Sequence, residues 1–209
     1  EATERQNQKV ATRLKRAHLR QAATPEDVDF RPARGLDRAQ FLALCGCEWV
    51  RSRDNLLITG PTGVGKTYLA CALAQKACRE GYTVHYARTG RLLGEFSVAR
   101  ADGTYPRRLA ALARLDLLVL DDWGLTPLTD AQRRDLLEIL DDRYDRRATL
   151  VASQLPVEHW HEALGDPTLA DAILDRLVHN AHKLSLRGES LRKQRGAAEA
   201  SRDASAGGE

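Results

Sequence analysis

Short apolar runs alternate with helix-spaced apolar positions through the middle of the 209-residue chain. Apolar runs of four to six residues that stop at glycine or polar residues are typical of buried strands. Such runs predict strands at 55–59, 82–87, 116–120, 149–152 and 183–186. Helical spacing between them predicts helices at 65–79, 90–100, 105–114 and 129–147. Strands that alternate with helices indicate a parallel sheet covered on both faces, so the expected fold class is α/β.

The two ends of the chain differ from this alternating region. Residues 4–23 contain neither Pro nor Gly and predict a basic helix, and a second helix is expected at 37–50. The Ala, Ser and Gly content near the C-terminus is typical of disorder. The chain therefore divides into a basic helical arm or linker at 1–34, a domain at 35–190 and a tail at 191–209. Since the chain contains no methionine, the arm is expected to be the end of a longer N-terminal region.

Composition excludes several classes of protein. With 43% hydrophobic and 29% charged residues the chain can bury a core, so wholesale disorder is excluded. No apolar run approaches the ~20 residues of a membrane span, and the polar, basic start is not a secretory signal. Four cysteines are too few for a disulfide scaffold and lack zinc-site spacing. Cys71 and Cys78, seven apart on one helical face, are expected in the core. A cytoplasmic protein with no membrane contact is expected.

The basic charge is concentrated outside the central domain. Residues 1–34 carry a net charge of +3 and residues 191–209 carry +1, whereas residues 35–190 carry −1. Arginine outnumbers lysine, and its planar guanidinium suits bidentate contacts with phosphate. A binding role for these arginines and a mere bias of codon usage remain equally open. The pairs Arg107/Arg108 and Arg146/Arg147 are likewise either DNA-backbone contacts or a solvated face.

A glycine-rich loop follows the first predicted strand and carries the strongest chemical signal. Its residues are Gly60, Pro61, Thr62, Gly63, Val64, Gly65, Lys66 and Thr67, which fit the pattern G-x-x-x-x-G-K-[ST]. Glycines let backbone N–H groups point at phosphate oxygens, and the following helix adds its positive end. Lys66 is expected to reach the β- and γ-phosphates and Thr67 to ligate Mg²⁺. The alternative is a plain glycine turn with a solvated Lys66.

Polar residues end two later strands. The run at 117–120 ends in Asp121 and Asp122, and a magnesium site on phosphates needs an acid at such a strand end. We expect Asp121 to bind Mg²⁺, directly or through water, and Asp122 to polarise the attacking water. Ser153 and Gln154 follow the next strand and are expected at the γ-phosphate or its water. Solvent-exposed strand ends are the alternative for both pairs.

Other conspicuous residues are expected to be structural. Acidic residues of the predicted helix 129–147 are expected on a solvated face: Asp130, Asp135, Asp141 and Asp142. The tryptophans are expected to be buried rather than to stack on bases: Trp49, Trp123 and Trp160.

Together these residues resemble an AAA+ ATPase, and closely the IstB family of ATP-binding helper proteins of bacterial insertion sequences. The resemblance spans roughly residues 4–193. Its motifs are Arg34-Gly35-Leu36-Asp37, the loop 60–67, Leu120-Asp121-Asp122-Trp123-Gly124-Leu125, Ser153-Gln154-Leu155-Pro156, Ala170-Asp171-Ala172-Ile173-Leu174-Asp175-Arg176-Leu177 and Gly188-Glu189-Ser190-Leu191-Arg192. The loop is shared by all phosphate-loop NTPases, whereas the Asp-Asp-Trp-Gly and Asp-Arg-Leu stretches are much more specific to the family.

The resemblance implies an oligomeric, Mg²⁺-dependent ATPase that binds DNA and assists a transposase in target choice and insertion. It assigns Mg²⁺ to Asp121, water activation to Asp122, where the wider class more often has Glu, and the polar sensor to Ser153 or Gln154. Arg176 falls where a finger arginine reaches the ATP of the neighbouring subunit. The alternative for Arg176 is a surface ion pair with Asp175.

Only 33 residues follow Arg176, fewer than a lid of three average helices needs, which is about 35 plus loops. A full C-terminal helical lid is therefore not expected, as in the related DnaC branch. A DnaC-like loader of a replicative helicase is accordingly the closest alternative function. A small-molecule kinase is a third, for which no substrate pocket is evident in the sequence.

Overall fold

The structure, a computed structural model, describes residues 2–31 and 34–191. Its α-helices are Ala2–Ala17 (α1), Arg38–Cys45 (α2), Glu48–Arg51 (α3), Lys66–Arg79 (α4), Thr89–Ala101 (α5), Tyr105–Arg114 (α6), Asp130–Arg143 (α7), Trp160–Leu164 (α8) and Pro167–Val178 (α9). Its strands are Asn55–Thr59 (β1), Val84–Arg88 (β2), Leu117–Trp123 (β3), Ala148–Ser153 (β4) and Ala181–Ser185 (β5). Short 3₁₀ turns lie at Pro25–Asp27 and Val157–His159.

The five strands form one parallel sheet in the order β2-β3-β4-β1-β5. Alternate residues of each strand face opposite sides, so the sheet is apolar on both faces, as the buried runs predict. Helices α2, α3 and α4 cover one face, and α5 to α9 cover the other. Because all strands run the same way, the carboxyl ends of β1, β3 and β4 meet at one edge of the sheet. The predicted α/β class is confirmed.

The N-terminal arm packs against the domain in the described residues. Helix α1 contacts α4 and the edge strand β2. Ala17, Ala23 and Val28 are buried in the same core as the apolar face of α4. Residues 17–28 therefore contribute to the core of the domain that was expected to begin at residue 35. The predicted tail lies outside the described residues from 192 onward, so its disorder and the incomplete lid stay predictions.

Three predicted helices differ from their patterns: two end early and one is divided. The first ends at Ala17, where His18 takes a left-handed φ of +53°. The single helix expected at 37–50 is divided between α2 and α3 by Cys47, whose φ is +56°. Helix α7 ends at Arg143 because Tyr144 leaves the helical conformation. The helical period continues through each of these breaks, and left-handed backbone at a residue other than glycine has no clear sequence signature.

One expected surface residue lies in the interior. Asp135 is 0% exposed and accepts hydrogen bonds from Arg100, whose guanidinium also lies 4.0 Å from the centre of the Tyr105 ring. The expectation of a solvated Asp135 was wrong because its face of α7 packs against α5. Asp141 is exposed as expected, and Asp142 is half-buried.

The expectations for cysteine and tryptophan are confirmed. All four cysteines are buried and free, and burial raises the pKa of the Cys47 and Cys78 thiols to about 11. Trp49, Trp123 and Trp160 are buried as well. Among the described helices, none combines the length and the apolarity that crossing a bilayer requires.

We expect Asn55→Ala to lower the free energy of unfolding by about 2–3 kcal/mol. The buried Asn55 amide donates to the carbonyls of Arg176 and Leu177 and accepts from the N–H of Thr149, so it joins β1 to α9 and β4. Urea unfolding followed by circular dichroism measures the change. The exposed Asn180→Ala is the control and should change stability by less than about 0.5 kcal/mol. Equal losses in both variants would contradict the role of Asn55.

Candidate nucleotide-binding site

The loop at residues 60–67 joins the carboxyl end of β1 to the amino end of α4. Gly63 and Gly65 have φ values of +86° and +96°, in the left-handed region that glycine enters without steric cost. A Cβ at Gly63 would also lie only 2.1 Å from the hydroxyl oxygen of Ser190. The glycines thus allow the chain to curl and leave the backbone N–H groups at the start of α4 available to an anion.

The outer side of this loop is covered by distant parts of the chain. The N–H of Leu191 donates to the carbonyl of Gly63 (2.9 Å), and the guanidinium of Arg34 donates to the carbonyl of Val64 (3.1 Å). Arg34 is 4% exposed, and desolvation lowers its pKa. Sequence reasoning assigned no role to Arg34 or Leu191, because contacts between residues so far apart leave no local pattern. These contacts stabilise the curled loop.

The ammonium of Lys66 folds back over the loop. It donates to the carbonyls of Gly60 (2.6 Å) and Pro61 (2.7 Å). Desolvation lowers the pKa of Lys66, while the negative charges of Asp121 and Asp122 act in the opposite direction. Phosphate oxygens are better partners for this cation than neutral carbonyls, because their negative charge adds Coulomb attraction to the hydrogen bond.

The acidic end of β3 lies directly beside the loop. The carboxylate of Asp121 accepts hydrogen bonds from the Thr67 hydroxyl (2.7 Å) and the Tyr86 hydroxyl (2.6 Å), and its other oxygen accepts from the N–H of Asp122 (2.8 Å). Asp121 is only 2% exposed. The two residues predicted to hold Mg²⁺, Thr67 and Asp121, are therefore brought together. Hydroxyl and carboxylate oxygens are the ligands Mg²⁺ prefers, so this pair fits the ion.

Tyr86 is a residue of this site that sequence reasoning missed. Burial, followed by the hydrogen bond to Asp121, raises the pKa of its phenol. Tyr86 therefore remains a neutral donor to the carboxylate at physiological pH. Its position on β2, opposite Val119 of β3, could have been found only by aligning the strands.

Asp122 adopts a strained conformation and contacts two arginines. Its φ is +57°, and the pairing of β3 with β4 is irregular between Leu120 and Trp123. Its carboxylate accepts a hydrogen bond from the guanidinium of Arg88 (2.6 Å) and lies 3.6 Å from the guanidinium of Arg20. Sequence reasoning predicted neither contact. Bulges of this kind redirect a side chain next to active sites, and here Asp122 is half-buried at the edge of the cleft.

The two polar residues after β4 are placed differently. The amide oxygen of Gln154 accepts from the Thr62 hydroxyl (2.8 Å), so Gln154 lies against the loop as expected. Ser153 is fully buried, and its hydroxyl donates to the carbonyl of Trp123 (2.8 Å) and accepts from the N–H of Leu155 (3.1 Å). Gln154, and not Ser153, thus faces the space where a phosphate would lie.

A cleft of about 380 Å³ connects these side chains. It is lined by Arg20, Gln21, Thr62, Gly63, Gly65, Lys66, Thr67, Tyr68, Arg88, Asp121, Asp122, Trp123, Leu125, Ala152, Gln154 and Leu191. A cleft with cations and backbone N–H groups on one wall and paired acids on the other suits a polyphosphate with a divalent cation.

Arg176 is not part of this cleft. It lies on α9, where its carbonyl accepts from Asn55 at the opposite end of β1, about 13 Å along the strand from the loop. Its guanidinium donates to Asp141 (2.7 Å) and to the carbonyl of Ala172 (3.0 Å), and it lies 3.9 Å from Asp175. The surface ion pair is thus present, and Arg176 lies far from the nucleotide cleft of its own chain.

The chain is similar to known proteins in both sequence and fold. A family model described as IstB-like ATP binding protein matches residues 1–199. An insertion sequence ATP-binding protein of Sinorhizobium fredii, y4pL, is 58% identical over 189 residues, which cover 90% of this chain and 77% of that protein.

Two solved structures resemble the chain at lower identity. The crystal structure of DnaI has a TM-score of 0.69 at 22% identity and covers 79% of this chain and 91% of its own. The crystal structure of the DnaC helicase loader has a TM-score of 0.61 at 21% identity and covers 71% of this chain and 86% of its own. At these identities the likeness concerns the fold alone.

Proposed function

Because the chain belongs to the family of IstB-like ATP-binding proteins, we propose that it hydrolyses ATP with Mg²⁺, binds DNA and assists the transposase of an insertion sequence. The observation that carries the ATPase proposal is the contact of Thr67 with Asp121 beside the loop. It joins a phosphate-binding loop to an acidic strand end, the combination that phosphoryl transfer to water requires. A cytoplasmic location follows from this proposal, because ATP and chromosomal DNA are found there.

The residues of the loop bind and orient the triphosphate. Backbone N–H groups of residues 60–67 surround its β-phosphate, and Lys66 exchanges the loop carbonyls for β- and γ-phosphate oxygens. Thr67 and Asp121 would hold Mg²⁺, which would supply positive charge to neutralise the transferring phosphate. Tyr86 keeps the carboxylate of Asp121 turned toward Thr67.

Asp122 is the candidate for orienting the attacking water. Its carboxylate is paired with Arg88 and Arg20 through the same oxygen, Oδ2, so the other oxygen, Oδ1, is the one that would accept from a water. An aspartate reaches less far than the glutamate that the wider class has here, and the left-handed backbone of Asp122 is one way to aim the shorter side chain. Gln154 follows β4, which lies between β3 and β1, and it contacts Thr62 of the loop, where its amide is able to contact the γ-phosphate.

Arg176 is proposed to act on the ATP of a neighbouring subunit. It lies too far along β1 from its own loop to reach the nucleotide of its own chain. A guanidinium supplied by a second copy would stabilise charge on the transferring phosphate. This role requires a homo-oligomer and release of Arg176 from Asp141.

The DNA and transposase parts of the proposal rest on the relatives and on charge. The relative y4pL is named as an insertion sequence ATP-binding protein. The arm contributes basic residues that lie on its exposed surface, including Lys9 and Arg16. If phosphate contacts drive binding, affinity for duplex DNA must fall steeply as salt is added.

We expect Asp122→Asn to leave ATP binding intact and to reduce the turnover of ATP by at least about 100-fold, because an amide does not accept the proton of the attacking water. Lys66→Ala should instead weaken binding itself. Titration with a fluorescent ATP analogue and phosphate release at saturating ATP separate the two effects. Asp142→Asn on α7 is the control. Undiminished turnover in Asp122→Asn would remove Asp122 from the mechanism.

We expect Arg176→Ala to lower turnover of the assembled protein by a factor on the order of 10³, as for finger arginines of other NTPases. Mixing the Arg176→Ala protein with the Asp122→Asn protein tests whether Arg176 acts on the ATP of the neighbouring subunit. Each Arg176→Ala subunit then has an intact acid and receives Arg176 from its neighbour, so the mixture should regain activity. Arg134→Ala, at an exposed arginine of α7, is the control. A mixture as inactive as its two components would refute action in trans.

A loader of a replicative helicase is the second candidate, favoured by the similarity to DnaI and DnaC. In that role ATP would act as a switch for a protein partner. Capture experiments with the tagged protein and ATP analogue, using purified transposase from the same element and purified host helicase, separate the two. Retention of transposase supports the proposed function. Retention of helicase alone would reverse the order of the two candidates.

A further inference from the structure

A second cleft lies along β2, between the arm and α5, and the proposed ATPase chemistry does not use it. Its volume is about 550 Å³. It is lined by His18, Arg20, His85, Tyr86, Ala87, Arg88, Arg91, Leu92 and Glu95. We name it the arm groove. It exists because α1 ends at Ala17 and the left-handed backbone of His18 turns the chain beside β2.

Positive charge dominates the arm groove. Among the described residues of its lining, three arginines and two histidines face one carboxylate, that of Glu95. Burial lowers the pKa of His85, so the arginines carry the positive charge. Arg91 is the most accessible of the arginines, with 81% of its side chain exposed. Glu95 lies between two guanidiniums, at 3.4 Å from Arg91 and 3.3 Å from Arg108 of α6. The basic surface therefore continues from the arm across α5 to α6.

Two of the three arginines of the groove are paired with Asp122, so Arg91 is the cation most available to a ligand. The rings of His18 and His85 meet edge to face, with their centres 5.6 Å apart. The guanidiniums of Arg20 and Arg88 lie between the groove and Asp122 of the nucleotide cleft. Within the described part of the chain, Arg91 forms an exposed pair with Glu95, which contributes little to stability. Arg91 therefore loses little when it turns toward an anion.

We propose that the arm groove binds the phosphates of a DNA backbone. This inference rests on the proposed DNA-binding function and names a site for it. An open groove lined by several arginines fits a chain of phosphodiesters, because each contact releases condensed counterions from the DNA. The pair Arg146/Arg147 is a weaker candidate, since Arg147 lies near the carboxylate of Asp116. A second nucleotide would offer the same phosphate chemistry, so the test separates DNA from nucleotide.

The test compares three variants of the full chain in binding a short fluorescein-labelled DNA duplex, followed by anisotropy at several salt concentrations with ATP analogue present. Arg91→Gln removes a cation of the groove that does not touch the nucleotide cleft. Glu95→Gln removes the carboxylate of its described lining. Arg51→Gln is the matched control, because Arg51 is 72% exposed and pairs with Glu48 on its own helix at the opposite end of the sheet.

We expect Arg91→Gln to weaken DNA binding several-fold and to reduce the slope of log affinity against log salt by about 0.9, the contribution of one phosphate contact. Glu95→Gln should strengthen binding, and Arg51→Gln should match the unaltered protein. Thermal melting verifies that all three fold.

Two outcomes would overturn the proposal while the proposed function stands. In the first, the unaltered protein binds the duplex but Arg91→Gln and Glu95→Gln bind it equally well. In the second, these variants change the affinity for a fluorescent ATP analogue instead of that for DNA, which would assign the groove to a nucleotide. Absence of duplex binding by the unaltered protein would instead overturn the proposed function itself, and this proposal with it.

Discussion

The carboxylate of Asp121 is the junction on which the nucleotide cleft depends. It accepts hydrogen bonds from Thr67 at the start of α4, from Tyr86 on β2 and from the N–H of Asp122. A buried charge without such donors would cost several kcal/mol. The carboxylate of Asp121 can therefore be buried only because these three donors contact it. They hold the loop and the acidic strand end at a fixed distance, and the cleft is preorganised for a polyphosphate and a divalent cation.

The arm is joined to this site through Asp122. The bulge near the end of β3 turns the Asp122 side chain toward Arg88 and toward Arg20 of the arm. Left-handed backbone at a residue other than glycine costs on the order of 1–3 kcal/mol, and the two guanidiniums compensate for part of it. Arg20 also forms a hydrogen bond with the phenol of Tyr86, and this bond is the main cause that raises the pKa of Arg20. The arm groove and the nucleotide cleft are therefore neighbouring spaces separated by two arginines.

Much of the fold and the centre of the site could be predicted from sequence because they depend on neighbours in the chain. Apolar runs between helical periods predict the five strands and most of the helices. The spacing of Gly60, Gly63 and Gly65 before Lys66 identifies the loop, since only glycine permits that curl. Acids directly after a buried run predict that Asp121 lies beside the loop, because parallel strands end at the same edge of a sheet.

The tertiary structure decided what depends on residues far apart in sequence. Arg34 and Ser190 cover the loop only because the segments on either side of the domain meet there. Tyr86 reaches Asp121 through the pairing of β2 with β3, which no local pattern encodes. Asp135 is buried although its spacing suits a solvated face, since the helix that packs on it sets its surroundings. Local patterns specify which segments become strands and helices, whereas the partners of each polar side chain depend on how those segments pack.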